Sequence, residues 1–147
     1  MADRILLDTS YLVALLDEKD IHHKKAAAIH EILARREAAY LYLDCILNET
    51  ATVLARRAVE KKADPASALR RLRREIPPEV IDWTGAEWPR YWDAVLDGME
   101  QSGGRLSFID SLLVVIARET GVELLASFDR NFDLVAGLKR ISSPADV

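Results

Sequence analysis

Four carboxylates occupy positions where a surface acid has no evident reason to be: Asp8, Glu49, Asp110 and Asp129. Asp8 follows directly on the apolar run Ile5-Leu6-Leu7, and Asp129 comes shortly after another, Leu124-Leu125-Ala126. Between Phe108 and Ala117 only Asp110 and Ser111 are polar. At about 100° per residue along a helix, Asp110 is flanked by Leu113, Val114 and Ala117. A carboxylate among such neighbours is costly unless it is paired, protonated or bound to metal. Glu49 stands near the edge of the stripe Ile46, Thr50, Val53 and Leu54. Gathered at one place, these groups repel each other until protons or a cation neutralise them. Ligands that are all oxygen suit hard magnesium or manganese better than zinc. His22, His23 and His30 offer no zinc-like spacing with the single cysteine, and surface histidines are the expectation.

Each acid also has a local explanation. Asp110 lies three residues after Ser107, as in a capping box, although aspartate reaches back to the cap less readily than glutamate. Asp8 can cap the helix that follows, a role open equally to Thr9 or Ser10. Glu49 can reach solvent, and Asp129 and Asp133 can each close a local turn.

The elements that must position these residues follow from apolar periodicity and turn chemistry. Ile5–Leu7 reads as a buried strand and Tyr11–Leu16 as the helix after it. A helix is expected from His22 to Ala38, a strand at Tyr40–Leu43, and a helix from Ile46 to Val59 capped by Asp44. Asp64-Pro65 opens another helix that runs toward Glu75, where Pro77-Pro78 stops it. Val80-Ile81 is a short strand, and a helix spans roughly Glu87 to Gln101. Ser107 begins a helix that Gly121 ends. Leu124–Ala126 is a strand, followed by a short helix to Ala136 and an extended piece around Arg140-Ile141. The alternation predicts an α/β fold in three layers, with helices on both faces of a mostly parallel central sheet. In such a sheet ligands bind at the carboxyl edge, where Asp8 and Asp129 would stand.

The 147 residues suit one domain, 1–147, with half of them apolar and 30% charged. The longest apolar run, Leu112–Ala117, is six residues, far below the roughly 18 that a membrane-spanning helix requires. With Met1-Ala2-Asp3-Arg4 at the start, a cytoplasmic location is expected. Cys45 has no partner for a disulfide and reads as a small buried hydrophobe. The net charge of −4 conceals an asymmetry: between Arg56 and Arg74, eight bases stand against two acids, leaving the rest of the chain at −10. A polyanion could meet that strip, through Arg56, Arg57, Arg70, Arg71, Arg73 and Arg74, while the acidic remainder holds metal. A solvated helix surface explains the strip equally well. Trp83, Trp88 and Trp92 read as core or interface anchors.

The order and spacing of these motifs resemble the PIN-domain family, in particular the toxin ribonucleases of toxin-antitoxin pairs. The resemblance is carried by Leu6–Leu16, with Asp8-Thr9-Ser10 opening an apolar helix, by Asn48-Glu49, by Leu106–Ser111 around Asp110, and by Ser127–Asp133 around Asp129. It implies a metal centre of Asp8, Glu49, Asp110 and Asp129, supported by Thr9 and Ser127, with Asp133 as an auxiliary acid. It also implies magnesium- or manganese-dependent hydrolysis of RNA by activated water, leaving a 5'-phosphate and a 3'-hydroxyl. A homodimer and a small antitoxin partner are further expectations. Arg130, beside the acidic loop, is a candidate contact for RNA. A catalytically inactive module for RNA binding or complex formation would carry a similar pattern. A phosphoacceptor domain fits less well, because no acidic pair accompanies the first strand.

Overall fold

The computed structural model describes residues 2–147. Among them are five strands and six α-helices: β1 (Arg4–Leu7), α1 (Thr9–Leu16), α2 (His23–Arg35), β2 (Ala39–Leu43), α3 (Asp44–Glu60), α4 (Pro65–Glu75), β3 (Ile81–Asp82), α5 (Trp88–Gln101), α6 (Phe108–Thr120), β4 (Leu124–Ala126) and β5 (Lys139–Ile141). The strands form one sheet in the order β3-β2-β1-β4-β5, and every pairing is parallel.

The position of β1 explains its composition. Ile5, Leu6 and Leu7 are all buried, as a strand covered on both faces requires. Leu7 is in register with Ala126 of β4, so the residues that follow, Asp8 and Ser127, leave the sheet side by side. Chain order reverses between β1 and β4: successive strands run outward to β3, then the chain returns past β1. Right-handed crossovers put the helices before that return, α1 to α4, and those within it, α5 and α6, on opposite faces. α1 packs with α2 and α3, and α3 with α4, while α5 packs with α6. The crevice at such a reversal is where open parallel sheets place ligands.

Several boundaries differ from the sequence expectation. α2 stops at Arg35 rather than Ala38, because Glu37 takes φ 54° and the Ala38 N–H turns back to the Leu33 carbonyl at 3.1 Å. No glycine announced that stop. Asp44 does not cap α3 but occupies its first turn. Its carboxylate accepts from the Thr84 and Gly85 amides, both at 2.9 Å, and from the Thr84 hydroxyl at 2.6 Å. It thereby ties α3 to the loop after β3. Pro78–Val80 forms a 3-10 turn, since proline lacks a ladder donor, and β3 shifts by one residue to Ile81–Asp82. The expected short helix to Ala136 is a 3-10 turn over Arg130–Leu134. Trp83 and Trp92 are not core residues, with 68% and 54% of their surface exposed. Among the described residues, no helix is long and apolar enough to cross a membrane.

α6 is apolar almost all round because it lies between α5 and the sheet, with Leu112 to Ala117 buried throughout. Its approach to α5 is close at one point. Ser111 donates to the Val95 carbonyl at 2.7 Å, and a Cβ added at Gly98 would collide with that hydroxyl. Gly98→Ala should therefore destabilise the protein by about 1–3 kcal/mol. Ser111→Ala in the same chain should return part of that loss, measured as a double-mutant cycle by denaturant unfolding.

Candidate metal centre

Asp8 leaves β1 with its amide still bound to the Ala126 carbonyl at 3.0 Å, and only 4% of the residue is exposed. It stands at the N-cap of α1, yet its side chain makes no capping bond. Instead Oδ2 accepts from two hydroxyls, Ser127 Oγ at 2.7 Å and Ser10 Oγ at 2.8 Å. Ser10 was not among the expected site residues, although its place two residues after Asp8 was the available signal. Burial pushes the Asp8 carboxyl up to about 6, against the opposing pull of the Ser127 and Ser10 hydroxyls.

The other three acids reach the same opening from separate elements. Glu49, in the second turn of α3, accepts from the Thr9 hydroxyl at 2.7 Å through Oε2. Asp110 completes a capping box with Ser107 at the start of α6, and its Oδ2 accepts the Ser107 amide at 3.0 Å. The local explanation is thus realised, but it engages only one oxygen. Burial raises the Asp110 carboxyl above the usual range, and the nearby Asp129 and Glu49 charges add to the rise. Asp129 follows Ser127, whose Oγ accepts the Asp129 amide at 3.0 Å, and Oδ1 of Asp129 accepts the Asn131 amide at 2.9 Å. Asp8, Glu49, Asp110 and Asp129 line one cavity of about 500 Å³, together with Thr9, Ser10 and Ser107.

Every one of the four acids has one oxygen held by a neutral donor: Oδ2 of Asp8, Oε2 of Glu49, Oδ2 of Asp110 and Oδ1 of Asp129. The second oxygen of each makes no side-chain or amide hydrogen bond among these contacts, and none is an unpartnered atom sealed from solvent. Among the described residues, no three His, Cys, Asp or Glu side chains are drawn tightly enough together to enclose an ion as they stand. Their like charges still act on one another across the opening: Asp110 raises the Asp8 carboxyl, and Asp129 and Glu49 raise that of Asp110. The donor set is nevertheless all oxygen and anionic, which fits a hard divalent cation.

Asp133 takes no part in the cavity. Arg140 grips both its oxygens, at 2.8 and 3.0 Å, and holds its carboxyl below the usual range. The same guanidinium donates to the Ser127 carbonyl at 3.2 Å, bracing the end of β4. Cys45 is buried, and burial pushes its thiol up to about 12, as an inert core residue requires. The basic strip divides. Arg57 binds Asp20 at 2.6 Å and Asp17 at 3.3 Å, and Arg71 donates to the Leu16 carbonyl at 2.7 Å, so both hold the α1–α2 loop. Arg56 lies near Glu60 at 3.9 Å on the exposed side of α3. Arg70, Arg73, Arg74 and Arg130 are exposed. A second cavity, about 550 Å³, runs between α3 and α4 with Lys61, Arg70, Arg71 and Arg74 in its walls, and Arg57 borders both cavities.

A family model described as the PIN domain matches residues 5–138. The chain belongs to the PIN-domain family. Several solved structures share this fold, two of them as follows. VapC20 of Mycobacterium tuberculosis, described as a sarcin-ricin loop cleaving toxin, is 23% identical with a TM-score of 0.70, covering 94% of this chain and 98% of its own. PAE2754 of Pyrobaculum aerophilum is also 23% identical, with a TM-score of 0.65 and coverage of 95% and 92%. No curated protein sequence matches the chain.

The raised Asp8 carboxyl has a consequence for the metal-free PIN domain. In the unfolded chain Asp8 ionises near the ordinary aspartate value of about 3.9, whereas the folded protein keeps the proton to about pH 6. Stability contributed by the protonated form is complete below the lower value and is lost as pH rises through the upper one. Asp8→Asn should therefore be more stable than the native protein at pH 7, by about 1–3 kcal/mol, with the gap closing toward pH 4. Thermal unfolding in chelator across pH 4–8 checks both the sign and the window.

Proposed function

We propose that this PIN domain is a magnesium- or manganese-dependent ribonuclease that hydrolyses RNA phosphodiester bonds. The observation that carries the reading is the cavity in which four carboxylates each keep one oxygen on a neutral donor and one free. Asp8, Glu49, Asp110 and Asp129 would hold the cation. A bound divalent ion would supply an activated water and neutralise charge on the attacked phosphate. Ser127 and Ser10 fix the Asp8 carboxylate, and Thr9 fixes Glu49, so that little reorganisation remains when the ion arrives. Exposed arginines on α4 would draw the polyanion toward the acidic edge. The likeness in fold to VapC20, itself described as a toxin, supports extending the proposal to a toxin with a cognate antitoxin.

Asp8→Asn is the decisive variant, since it keeps the size and one acceptor oxygen but removes the charge. Calorimetric titration with magnesium or manganese should show metal binding by the native protein and its loss in the variant. Cleavage of single-stranded RNA should fall by at least a hundredfold, with 5'-phosphate and 3'-hydroxyl ends on the native products. Full activity in folded D8N would remove Asp8 from the centre. Metal-independent RNA binding without turnover by the native protein would instead identify an inactive binding module.

The exposed part of the basic strip makes a separate expectation. Replacing Arg70, Arg73 and Arg74 by glutamine should weaken RNA association and flatten its dependence on salt by up to about 0.7 in logarithmic slope per lost contact. Metal affinity should hardly change. Arg71 is left in place because it supports the α1–α2 loop.

Self-association would use the exposed face of α5, where Trp92, tilted against Phe108, lies one turn from the exposed Leu96. Sedimentation over a wide concentration range should find a homodimer, and Trp92→Glu should shift it to monomer. A monomer at every concentration would eliminate the proposed contact.

A further inference from the structure

The acidic cavity has an aromatic rim that the metal centre does not use. The rings of His22 and Phe128 stack 4.4 Å apart with 12° between their planes. Both are half-buried and line the same cavity as Asp8, Ser10 and Asp129. Ile21, next to them in that lining, is 91% exposed. The His22 ring contributes nothing to helix capping: the residue stands at the N-cap of α2 without a side-chain bond to it.

This rim is held in place before any ligand arrives. Arg57 donates to Asp20 Oδ2 at 2.6 Å, and Oδ1 of the same carboxylate accepts the His22 amide at 2.8 Å. Arg57 also reaches Asp17 at 3.3 Å, at the other end of the α1–α2 loop. On the opposite side Phe128 is fixed through its amide, which donates to Ser10 Oγ at 3.0 Å, and its ring lies 6.3 Å from that of Tyr11. Ser10 therefore touches both the Asp8 carboxylate and the backbone of the stack.

A nucleotide is charged at its phosphate and flat and weakly polar at its base. One cavity here offers a carboxylate cluster suited to a cation and phosphate, beside a rigid aromatic and aliphatic surface. We propose that Ile21, His22 and Phe128 form a shelf for one unpaired nucleobase of the RNA strand whose backbone lies over the four acids. The proposal rests on the nuclease reading above. Stacking on a ring face accepts any base, so the shelf favours single-stranded over paired RNA without selecting a sequence. It also sets the register between the strand and the acids, because the base and its phosphate are covalently joined.

Short single-stranded RNAs carrying 2-aminopurine at one position each, mixed with the protein in calcium buffer, report stacking by fluorescence quenching without needing turnover. Quenching should appear at one position and be absent for a duplex of the same sequence. His22→Ala should abolish it and weaken binding about fivefold or more, while His22→Phe should restore both. Thermal unfolding establishes that each variant is folded. Unchanged quenching and affinity in His22→Ala, or no quenching at any position with the native protein, would overturn the shelf. Quenching without cleavage in magnesium or manganese would keep the shelf and remove the nuclease reading, and cleavage without quenching would do the reverse.

Discussion

A carboxylate that the fold buries at the carboxyl end of its central strand is the constraint around which the rest is arranged. Asp8 follows three residues that fill the middle of a sheet covered on both faces, so the chain cannot carry it outward to water without breaking β1. Two serine hydroxyls, one from the next turn and one from the neighbouring strand, lessen the cost of its charge. They do not remove it, and burial still dominates the carboxyl's behaviour. An ion pair would have removed the cost more fully. The cavity instead adds three further acids, whose charges raise the cost of ionising it.

Positive charge is correspondingly kept at a distance and put to different uses. Arg57 borders the cavity but spends its donors on Asp17 and Asp20, and Arg140 is occupied by Asp133 and the end of β4. These arginines hold loops against the sheet. The exposed arginines of α4 have only surface partners, Asp64 at 3.9 Å from Arg70 and Glu75 at 3.6 Å from Arg74, on a helix none of whose residues is buried. Loop support and exposed surface charge are thus separated along one stretch of sequence that looks uniform when read only as charge.

Much of the fold was legible because local chemistry and tertiary demand agree. The Asp64-Pro65 start, the Gly121 stop and the apolar runs of β1 and β4 each specify a local conformation that the sheet then uses. The misplaced boundaries lie where long-range bonds take over. Glu37 adopts a left-handed conformation without the glycine that usually marks one, and Asp44, in the first turn of its helix, bonds across 40 residues to Thr84 as well as to the adjacent Cys45 amide. The grouping of the four acids in one cavity was legible to the same degree. Asp8, Glu49, Asp110 and Asp129 stood out as carboxylates at strand ends or in apolar helix faces, whereas Asp133, chemically identical, is removed from the cavity by Arg140.

Local spacing already specifies which groups can do chemistry and which elements carry them, because residue type, apolar period and turn residues act within a few positions of each other. It also determined that the acids had only oxygen ligands to offer. Tertiary structure alone decided that β1 and β4 lie side by side, since strand order depends on how helices pack across the sheet. That adjacency puts Ser127 on Asp8, sets His22 against Phe128, and brings Arg57 onto Asp20. Such contacts join residues separated by tens of positions, where nothing in the local spacing can report them, and they divide a row of similar charges into those that clamp a distant loop and those that reach only a neighbouring surface acid.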